Sequence, residues 1–355
     1  VKFEVTSLDE VKRIFAIKDM DKKVFVVIWT TTPWTLPSNK SIAVKSDLNY
    51  ILVSNNKEIY IIAESLFEKF QERTNLELSI LARCSGENLI NLEANHPFLD
   101  NKINIISSDH VTDDSGTGCV HIAPAHGIED FELGKKHNLE VVNPIQSDGI
   151  FSGLPEELNG THVYKLDEQI INILTREDKL LSSNKFKHSY PHCWRTKTPL
   201  IYRATPQWFI SMKKNNLIDK TLEKIPEVEW LPAWGEARIE GMISQRPDWC
   251  ISRQRKWGVP ITLLINKKTG EPHSNSSIIF SRVCKLVEEH GIEKWFEIDI
   301  GDLIDNPDDY EKVQDTLDVW FDSGSSHAAV LETSANLRFP ADLYLEGSDQ
   351  HRGWF

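Results

Sequence analysis

One segment, residues 24–39, constrains the fold of this chain more than any other. Its first five residues, 24–28, are apolar and mostly β-branched, which predicts a buried strand. We expect Thr30, Thr31 and Thr32 to continue this strand as far as residue 32, because the two prolines that follow cannot donate to a sheet ladder. Three hydroxyls at a strand end form a polar ledge suited to orienting a water molecule or a ribose. The alternative interpretation is that β-branched residues merely finish the strand.

Length and composition bound the class of protein. At 355 residues the chain is long enough for two or three domains, and 40% hydrophobic with 26% charged residues is ordinary globular composition. A net charge of −13 argues against a surface coated with nucleic acid, although it leaves room for a local basic groove. Five cysteines without paired spacing suggest reduced thiols in a cytoplasmic protein. No apolar run reaches the ~18 residues of a membrane span.

The distribution of tryptophan predicts the domain organisation. Residues 1–190 hold two of the 11 tryptophans and residues 191–355 hold the rest, which places a boundary near residue 190. The first part alternates strands with amphipathic helices, which predicts a mixed α/β domain. The predicted strands are 24–32, 50–53, 58–63 and 118–123, and the predicted helices are 64–73, 129–138 and 167–181. We expect 191–245 to be an irregular Trp- and Pro-rich connector and 246–355 to be α/β again, with a helix at 281–290 and a strand at 342–345.

A second motif, residues 116–130, carries more chemistry than the first. Period-2 alternation puts Val120 and Ile122 on one face of a strand, which we assign to the core, and His121 on the other. We therefore expect His121 to face a pocket, with a hydrogen-bonded core histidine as the alternative. Asp130 falls in the first turn of a predicted helix, where acids also stabilise the positive end of the helix dipole.

Both motifs resemble a known family. Trp-Thr-Thr-Thr-Pro-Trp-Thr-Leu-Pro-Ser-Asn, from residue 29 to residue 39, resembles the signature of the editing domain of isoleucyl-tRNA synthetases, which are class I aminoacyl-tRNA synthetases. The resemblance implies that Thr30, Thr31 and Thr32 orient a water molecule and the terminal adenosine of a tRNA. It implies that Asn39 supports this loop.

The same resemblance assigns roles to the second motif. It implies that Asp130 binds the α-ammonium of a misattached amino acid and that His121 limits the size of the side-chain pocket. The implied reaction is hydrolysis of the ester at the 3′ end of tRNA(Ile), which needs a positioned water and no Ser-His-Asp set. One methylene contributes only ~1–3 kcal/mol to selectivity, a magnitude established on this very enzyme family, so valine has to be removed in a second pocket.

Three later motifs resemble the synthetic half of these enzymes. Residues 249–261 resemble the re-entry into the nucleotide-binding fold, and 318–324 and 344–355 resemble strand-to-loop elements of the catalytic centre. Open α/β folds bind ligands at the carboxyl edge of a parallel sheet. The resemblance implies that ATP and Mg2+ serve the whole enzyme, which forms isoleucyl-adenylate. It assigns adenylate binding to Glu346, Gly347, Asp349 and Gln350, and the isoleucine side-chain pocket to Trp320 and Trp354, for which core packing is the alternative.

Together these motifs predict an α/β fold class. We expect a mixed α/β editing domain with a β-barrel-like core at 1–190, inserted through the connector 191–245 into a Rossmann-like parallel α/β catalytic fold, of which 246–355 is a part. Neither the His-x-Gly-His nor the Lys-Met-Ser-Lys-Ser element of the family is present. The chain is therefore expected to be an internal segment of a longer enzyme.

Metal binding is not expected in this segment. His192 and Cys193 lie where some relatives carry Cys-x-x-Cys and bind zinc, but the second position here is Thr196 and the nearest other cysteine is Cys250. Tetrahedral zinc sites need four Cys or His ligands.

Other functions remain open at this stage. Valyl- and leucyl-specific relatives carry an arginine where this chain has Thr32, and leucyl relatives lack a histidine at the position of His121. A free-standing aminoacyl-tRNA deacylase and a non-catalytic RNA-binding module are the remaining alternatives. The expected partners are tRNA(Ile), isoleucine, valine and ATP, with no membrane, and we expect a monomer.

Overall fold

The computed structural model describes residues 1–185, 189–255, 257–348 and 350. The chain divides into two compact units, Val1–Thr205 and Pro206–Phe355. Asp349 and Trp354, which the sequence assigned to the synthetic half, lie outside the described residues. The described part contains no helix with the length and apolar character that crossing a bilayer requires.

The first unit is built on one mixed sheet of nine strands in the order β6-β4-β5-β2-β1-β7-β8-β3-β9. Its strands are β1 Lys2–Val5, β2 Val24–Val27, β3 Ser41–Val44, β4 Asn49–Ser54, β5 Ile59–Ala63, β6 Ser79–Ser85, β7 Glu93–Asn95, β8 Lys102–Ser107 and β9 Val120–Ile122. Its helices are α1 Leu8–Phe15, α2 Phe67–Thr74, α3 Ile128–His137 and α4 Leu166–Arg176. The pairs β2–β5 and β3–β8 are parallel and the remaining ladders are antiparallel.

This sheet curls, so that the segment before β9 meets β5. The amide of Ala63 donates to the carbonyl of Thr117 at 2.9 Å, and the hydroxyl of Tyr50 donates to the carbonyl of Gly118 at 2.6 Å. Gly118 has a φ of +73°, and a Cβ there would lie 2.3 Å from the Cβ of Ala63, so only glycine fits. The close approach brings the strand that carries His121 next to the strands of the opposite half of the sheet.

Two apolar layers hold β9 in place. Cys119, just before β9, packs in the main core, to which Leu166, Ile170 and Ile173 of α4 also belong. On the other face, Ile122 packs with Leu133 of α3 in a smaller cluster. Each large aliphatic side chain that is buried in these two clusters stabilises the packing of the strand by roughly 1.5–3 kcal/mol.

The second unit has short strands and five helices among its described residues. The helices are α5 Leu217–Lys224, α6 Trp234–Ser244, α7 Ser276–His290, α8 Lys294–Glu297 and α9 Val319–Gly324, followed by a π-helical turn at His327–Glu332. The strands are β10 Phe209–Ile210, β11 Trp249–Cys250, β12 Ser252–Arg253, β13 Leu264–Asn266, β14 Tyr310–Lys312 and β15 Thr316–Leu317. They form three antiparallel pairs, β10–β11, β12–β15 and β13–β14.

The predicted mixed α/β class is confirmed, and the first unit carries most of the predicted elements. The strands predicted at 50–53 and 58–63 are β4 and β5, and the helices predicted at 64–73, 129–138 and 167–181 correspond to α2, α3 and α4 within a few residues. The helix predicted at 281–290 lies within α7. The assignment of an editing domain, a connector and a catalytic domain to these regions stays a prediction.

The strand predicted to reach residue 32 is too long, since β2 ends at Val27. The hydroxyl of Thr30 accepts a hydrogen bond from the amide of Thr32 at 3.1 Å, and a side chain that binds the backbone two residues on turns the chain away from a ladder. A 3-10 helix, Pro33–Ser38, follows directly, with proline at its favoured first position. The threonines therefore lie on a turn rather than on a strand.

Three predictions for residues 191–355 are wrong. Residues 191–245 are not irregular throughout, because α5 and α6 lie within them. The strand predicted at 342–345 is wrong: Leu343 and Leu345 are largely exposed, and the segment pairs with no strand among the described residues. The ladders that the described part of 246–355 does form are antiparallel, not the parallel ones expected there.

Candidate active site

A cavity of about 270 Å3 opens in the first unit where the turn after β2 meets β9 and the start of α3. It brings together four of the residues that the sequence singled out, namely Thr30, Thr31, His121 and Asp130. Trp29 and the loop 115–119 form further parts of its wall. Residues that are up to 100 positions apart in the sequence therefore share one polar pocket.

Two of the three threonines, Thr30 and Thr31, form one side of this pocket. The Oγ1 atoms of Thr30 and Thr32 lie 3.4 Å apart, and Thr31 is exposed. Thr30 and Thr31 line the cavity, whereas Thr32 supports the turn behind them. A hydroxyl is both a donor and an acceptor, so this side of the pocket can bind water or a ribose hydroxyl.

His121 lies buried at the inner end of the cavity, with both ring nitrogens hydrogen-bonded. Its Nε2 lies 3.1 Å from Oγ1 of Thr35, and the hydroxyl of Thr35 itself donates to the carbonyl of Thr32 at 2.9 Å. Because the proton of that hydroxyl is already used, Nε2 must carry a proton and donate. Nδ1 then accepts from Nδ2 of Asn39 at 3.4 Å. His121 is a neutral ring in a single tautomer. It therefore contributes its shape to the cavity wall and offers no unpaired nitrogen that could accept a proton.

Burial explains the charge state of this histidine. His121 is 8% exposed, and desolvation lowers its pKa to about 4, with smaller contributions from His96 and His126. The predicted alternation along the strand is present, but the face was misjudged: Cys119, on the side of His121, packs in the main core. Both faces of β9 are covered because the sheet curls, so His121 borders a pocket from inside the unit.

Asp130 lies in the first turn of α3, beside the cavity. Its Oδ2 accepts a hydrogen bond from the amide of Ala123 at 2.9 Å, which ties the helix to the end of β9. Burial raises the pKa of this carboxyl, and the amide of Ala123 and the nearby ring of His110 oppose that rise. Asp130 thus combines a structural hydrogen bond with a partly buried carboxyl group that lines the cavity.

Asn39 connects the first motif, to which it belongs, with His121 of the second motif. Its Nδ2 donates to the carbonyl of Ser41 at 2.9 Å as well as to His121. The reverse orientation of the amide would place an oxygen against the carbonyl of Ser41, so these contacts fix the amide. Asn39 does not line the cavity.

Sequence reasoning missed the contacts that hold the turn 29–39. The amide of Trp34 donates to Oδ1 of Asp167 on α4 at 3.0 Å, and Oγ of Ser38 lies 2.9 Å from Nε2 of His126. His126 also donates from Nδ1 to the carbonyl of Tyr202 at 3.0 Å. Each contact joins residues at least 76 positions apart, so no local sequence pattern predicts these contacts.

His110 is a further residue of the cavity wall that the sequence did not reveal. Its Nδ1 lies 2.6 Å from Oγ of Ser108, on the loop between β8 and β9. The only sequence feature that could have indicated this residue is its place in His-Val-Thr, residues 110–112, shortly before the second motif.

The residues assigned to the synthetic half are not assembled in this way. Glu346 and Gly347 are exposed in a segment without regular structure, where the amide of Gln350 donates to the carbonyl of Gly347 at 3.0 Å. Trp320 lies on α9 and is 37% exposed, and Asp318 caps that helix by accepting from the amide of Trp320. The described residues do not form the sheet edge that would bring these side chains together.

No three His, Cys, Asp or Glu side chains converge on a possible metal position among the described residues. Cys193 is half-buried, and hydrogen bonds to Thr196 and its neighbours lower the pKa of its thiol.

The buried histidines predict how stability depends on pH. The pKa values of His121 and His96 are both lowered to about 4 by burial, so between pH 6.5 and pH 4 the unfolded chain binds more protons than the folded one. The free energy of unfolding should then fall by about 1.4 kcal/mol per pH unit for each ring as the pH drops through this window. Denaturant titrations at pH 7, 6 and 5 measure the slope.

His96→Asn provides the comparison for that slope. It should lower the slope by about 1.4 kcal/mol per pH unit, because the other shifted groups, namely Val1, His121, His126, Asp130 and Asp167, act alike in both proteins and cancel in the difference. An unchanged slope in a folded His96→Asn protein would contradict the assignment of neutral buried rings.

Comparison with known proteins gives one family. The family model of class I tRNA synthetases for I, L, M and V matches residues 4–355. Isoleucine–tRNA ligases of Francisella philomiragia and of Francisella tularensis subsp. mediasiatica are each 50% identical over an alignment of 356 positions, which covers 100% of this chain. The chain spans 38% of the length of these relatives.

Solved structures give a weaker likeness. The crystal structure of GlLeuRS-CP1 has a TM-score of 0.43 at 16% identity, covering 52% of this chain and 98% of that one. The editing domain of the P. falciparum cytosolic leucyl-tRNA synthetase has a TM-score of 0.42 at 14% identity, with the same coverage.

Proposed function

The chain belongs to the class I tRNA synthetases for I, L, M and V, and from this premise we propose that it is the editing segment of an isoleucine–tRNA ligase. The whole enzyme would attach isoleucine to tRNA(Ile) through isoleucyl-adenylate. This segment would hydrolyse valine that has been attached by mistake. The observation that carries the proposal is the convergence of Thr30, Thr31, His121 and Asp130 on one cavity.

Different residues of the cavity wall would bind different parts of such an ester. Asp130 supplies a carboxylate for the α-ammonium of the amino acid, and a hydrogen bond to a charged group contributes ~1.5–3 kcal/mol. Thr30 and Thr31 supply hydroxyls for the terminal ribose and the attacking water. His121 closes the inner end of the pocket, where the side chain of the amino acid would enter.

The reaction requires little else from the protein. An aminoacyl ester is activated, so a water molecule held in line with its carbonyl carbon is sufficient for hydrolysis. His121 cannot act as the general base, because both of its nitrogens are engaged and its pKa is about 4. This favours catalysis by positioning, with the carboxylate of Asp130 and the hydroxyls of Thr30 and Thr31 fixing the ester.

We propose no step through ATP or Mg2+ for the described residues. Glu346, Gly347 and Gln350 would contribute to a nucleotide site in the whole enzyme, but they do not line the cavity of the second unit that Met242, Arg246 and Arg253 border. No metal-binding cluster accompanies them in the described part of the chain. The described residues of this motif do not assemble a site for ATP or Mg2+.

Deacylation of valyl-tRNA(Ile) by the purified 355-residue chain tests the proposal. We expect hydrolysis of valyl-tRNA(Ile) well above the spontaneous rate and little hydrolysis of isoleucyl-tRNA(Ile). Equal rates for the two esters would favour a non-specific deacylase. No hydrolysis of either ester, at concentrations where the RNA is bound, would favour an RNA-binding module.

A further inference from the structure

The last part of the first unit, residues 180–205, is basic although the chain as a whole has a net charge of −13. It contains no aspartate or glutamate, and its lysine and arginine residues are Lys185, Lys187, Arg195, Lys197 and Arg203. Lys187 lies outside the described residues, and none of the other four forms an ion pair with a described residue. These charges are therefore available to a negatively charged partner.

An exposed tryptophan accompanies the charges in a turn formed by residues 193–198, which we call the basic turn. Trp194 is 77% exposed, and the guanidinium of Arg195 lies over its ring, 5.0 Å from the centroid. Tryptophan is enriched at interfaces, where its large ring contributes much of the contact area. The basic turn thus presents one aromatic face together with the cations of Arg195 and Lys197.

Backbone hydrogen bonds hold the basic turn in one conformation. The amide of Cys193 donates to the carbonyl of Thr198 at 2.8 Å, and the amide of Lys197 donates to the carbonyl of Cys193 at 2.9 Å. The amide of Leu200 donates to the carbonyl of Pro191 at 2.9 Å and closes the base of the turn. A partner that binds this turn therefore has little backbone to order.

The segment that follows the basic turn is fixed beside the candidate active site. The amide of Ala204 donates to the carbonyl of Ala125 at 2.7 Å, and Nδ1 of His126 donates to the carbonyl of Tyr202 at 3.0 Å. Ala125 and His126 lie on the loop between β9 and α3, which carries the chain from His121 to Asp130. An ester at the 3′ end of a tRNA can occupy the cavity only if the preceding nucleotides leave it across the surface of this unit.

We propose that the basic turn binds the unpaired 3′ strand of the tRNA, with Trp194 stacking on a base and Arg195 and Lys197 binding phosphates. Single strands are bound in this way, by aromatic side chains on which bases stack and by cations along the backbone. A basic surface without carboxylates favours RNA over an acidic protein because it combines phosphate binding with a stacking face. The inference rests on the proposed editing function and deepens it, because it names a surface that binds the RNA outside the cavity.

Two substitutions in the purified 355-residue chain test the basic turn. Trp194→Ala removes the stacking face. Lys197→Asn removes one charge, and because Lys197 has a φ of +59°, which asparagine adopts more readily than lysine, it does not strain the turn. The measurement is the dissociation constant for uncharged tRNA(Ile), either intact or lacking its unpaired 3′ nucleotides, at several salt concentrations, together with the melting temperature of each variant.

The two variants should weaken binding in different ways. Trp194→Ala should raise the Kd for intact tRNA(Ile) about tenfold, the effect of losing one stacked base, and should change the Kd for the shortened RNA less than twofold. Lys197→Asn should lower the slope of log Kd against log salt by about 0.7, which corresponds to one phosphate contact with a single strand. At saturating RNA both variants should hydrolyse valyl-tRNA(Ile) at the wild-type rate, since neither residue lines the cavity.

Lys57→Asn provides the matched control. Lys57 is exposed in the turn between β4 and β5 and forms no ion pair with a described residue, so the substitution makes the same change in net charge elsewhere. It should change the Kd less than twofold, and an effect equal to that of Lys197→Asn would contradict the proposal. A folded Trp194→Ala protein with the wild-type Kd for intact tRNA(Ile) overturns the inference and leaves the editing function intact. A chain that binds tRNA(Ile) through Trp194 but hydrolyses neither ester overturns the editing function and supports the surface.

Discussion

Replacing His121 by alanine should allow the chain to deacylate correctly charged isoleucyl-tRNA(Ile). The ring closes the inner end of the cavity and has both nitrogens occupied, so its contribution to the site is its volume. Removing that volume makes room for the extra methylene of isoleucine while Asp130 and the threonines stay in place. The rate for the isoleucyl ester should rise roughly 10- to 200-fold, the discrimination of one methylene, and the rate for the valyl ester should change much less.

A second buried histidine provides the control for this change. His96 is 4% exposed, has a pKa of about 4 and donates to the carbonyl of Leu36 at 3.0 Å, but it does not line the cavity. His96→Ala should lower the melting temperature through the cavity it leaves, without changing the ratio of the two rates. If the ratio also stays constant in a folded His121→Ala protein, His121 is not the size limit.

Replacing Asp130 by asparagine should lower kcat/KM for valyl-tRNA(Ile) by about 10- to 150-fold, which corresponds to ~1.5–3 kcal/mol for a hydrogen bond to a charged group. Asparagine can still accept the hydrogen bond from the amide of Ala123 through its Oδ1, so the tie between α3 and β9 survives. The substitution therefore removes the charge that would bind the α-ammonium and little else.

Glu129 provides the control for the alternative that the charge of Asp130 only stabilises α3 through the helix dipole. It lies in the same first turn of α3, is exposed, and does not line the cavity. Glu129→Gln should change stability by ~0.3–1 kcal/mol through the helix dipole and leave deacylation unchanged. Asp130→Asn with unchanged deacylation and a similarly small loss of stability would reduce Asp130 to the same dipole role.

Local patterns predicted much of the first unit because its elements obey simple periodicities. The apolar runs that became β4 and β5 and the amphipathic helices α2, α3 and α4 were all predicted. Helix α1 was missed although its Ser-x-x-Glu start is visible, and the hydroxyl of Ser7 indeed accepts from the amide of Glu10. Strands β1, β3, β6, β7 and β8 were also missed, although β6, with seven residues, is the longest strand of the sheet.

The candidate site shows the same division between local pattern and tertiary contact. Sequence patterns alone singled out the threonines, His121 and Asp130 as candidates, and they predicted the alternation of side chains along β9. Only the tertiary structure decided that His121 is enclosed rather than outward-facing, and that Thr35 and Asn39 occupy its two nitrogens. The physical reason is that the covered face of a strand, and the partner of a buried polar atom, depend on how the sheet curls. That curl is set by contacts such as the one between Gly118 and Ala63, which are 55 residues apart.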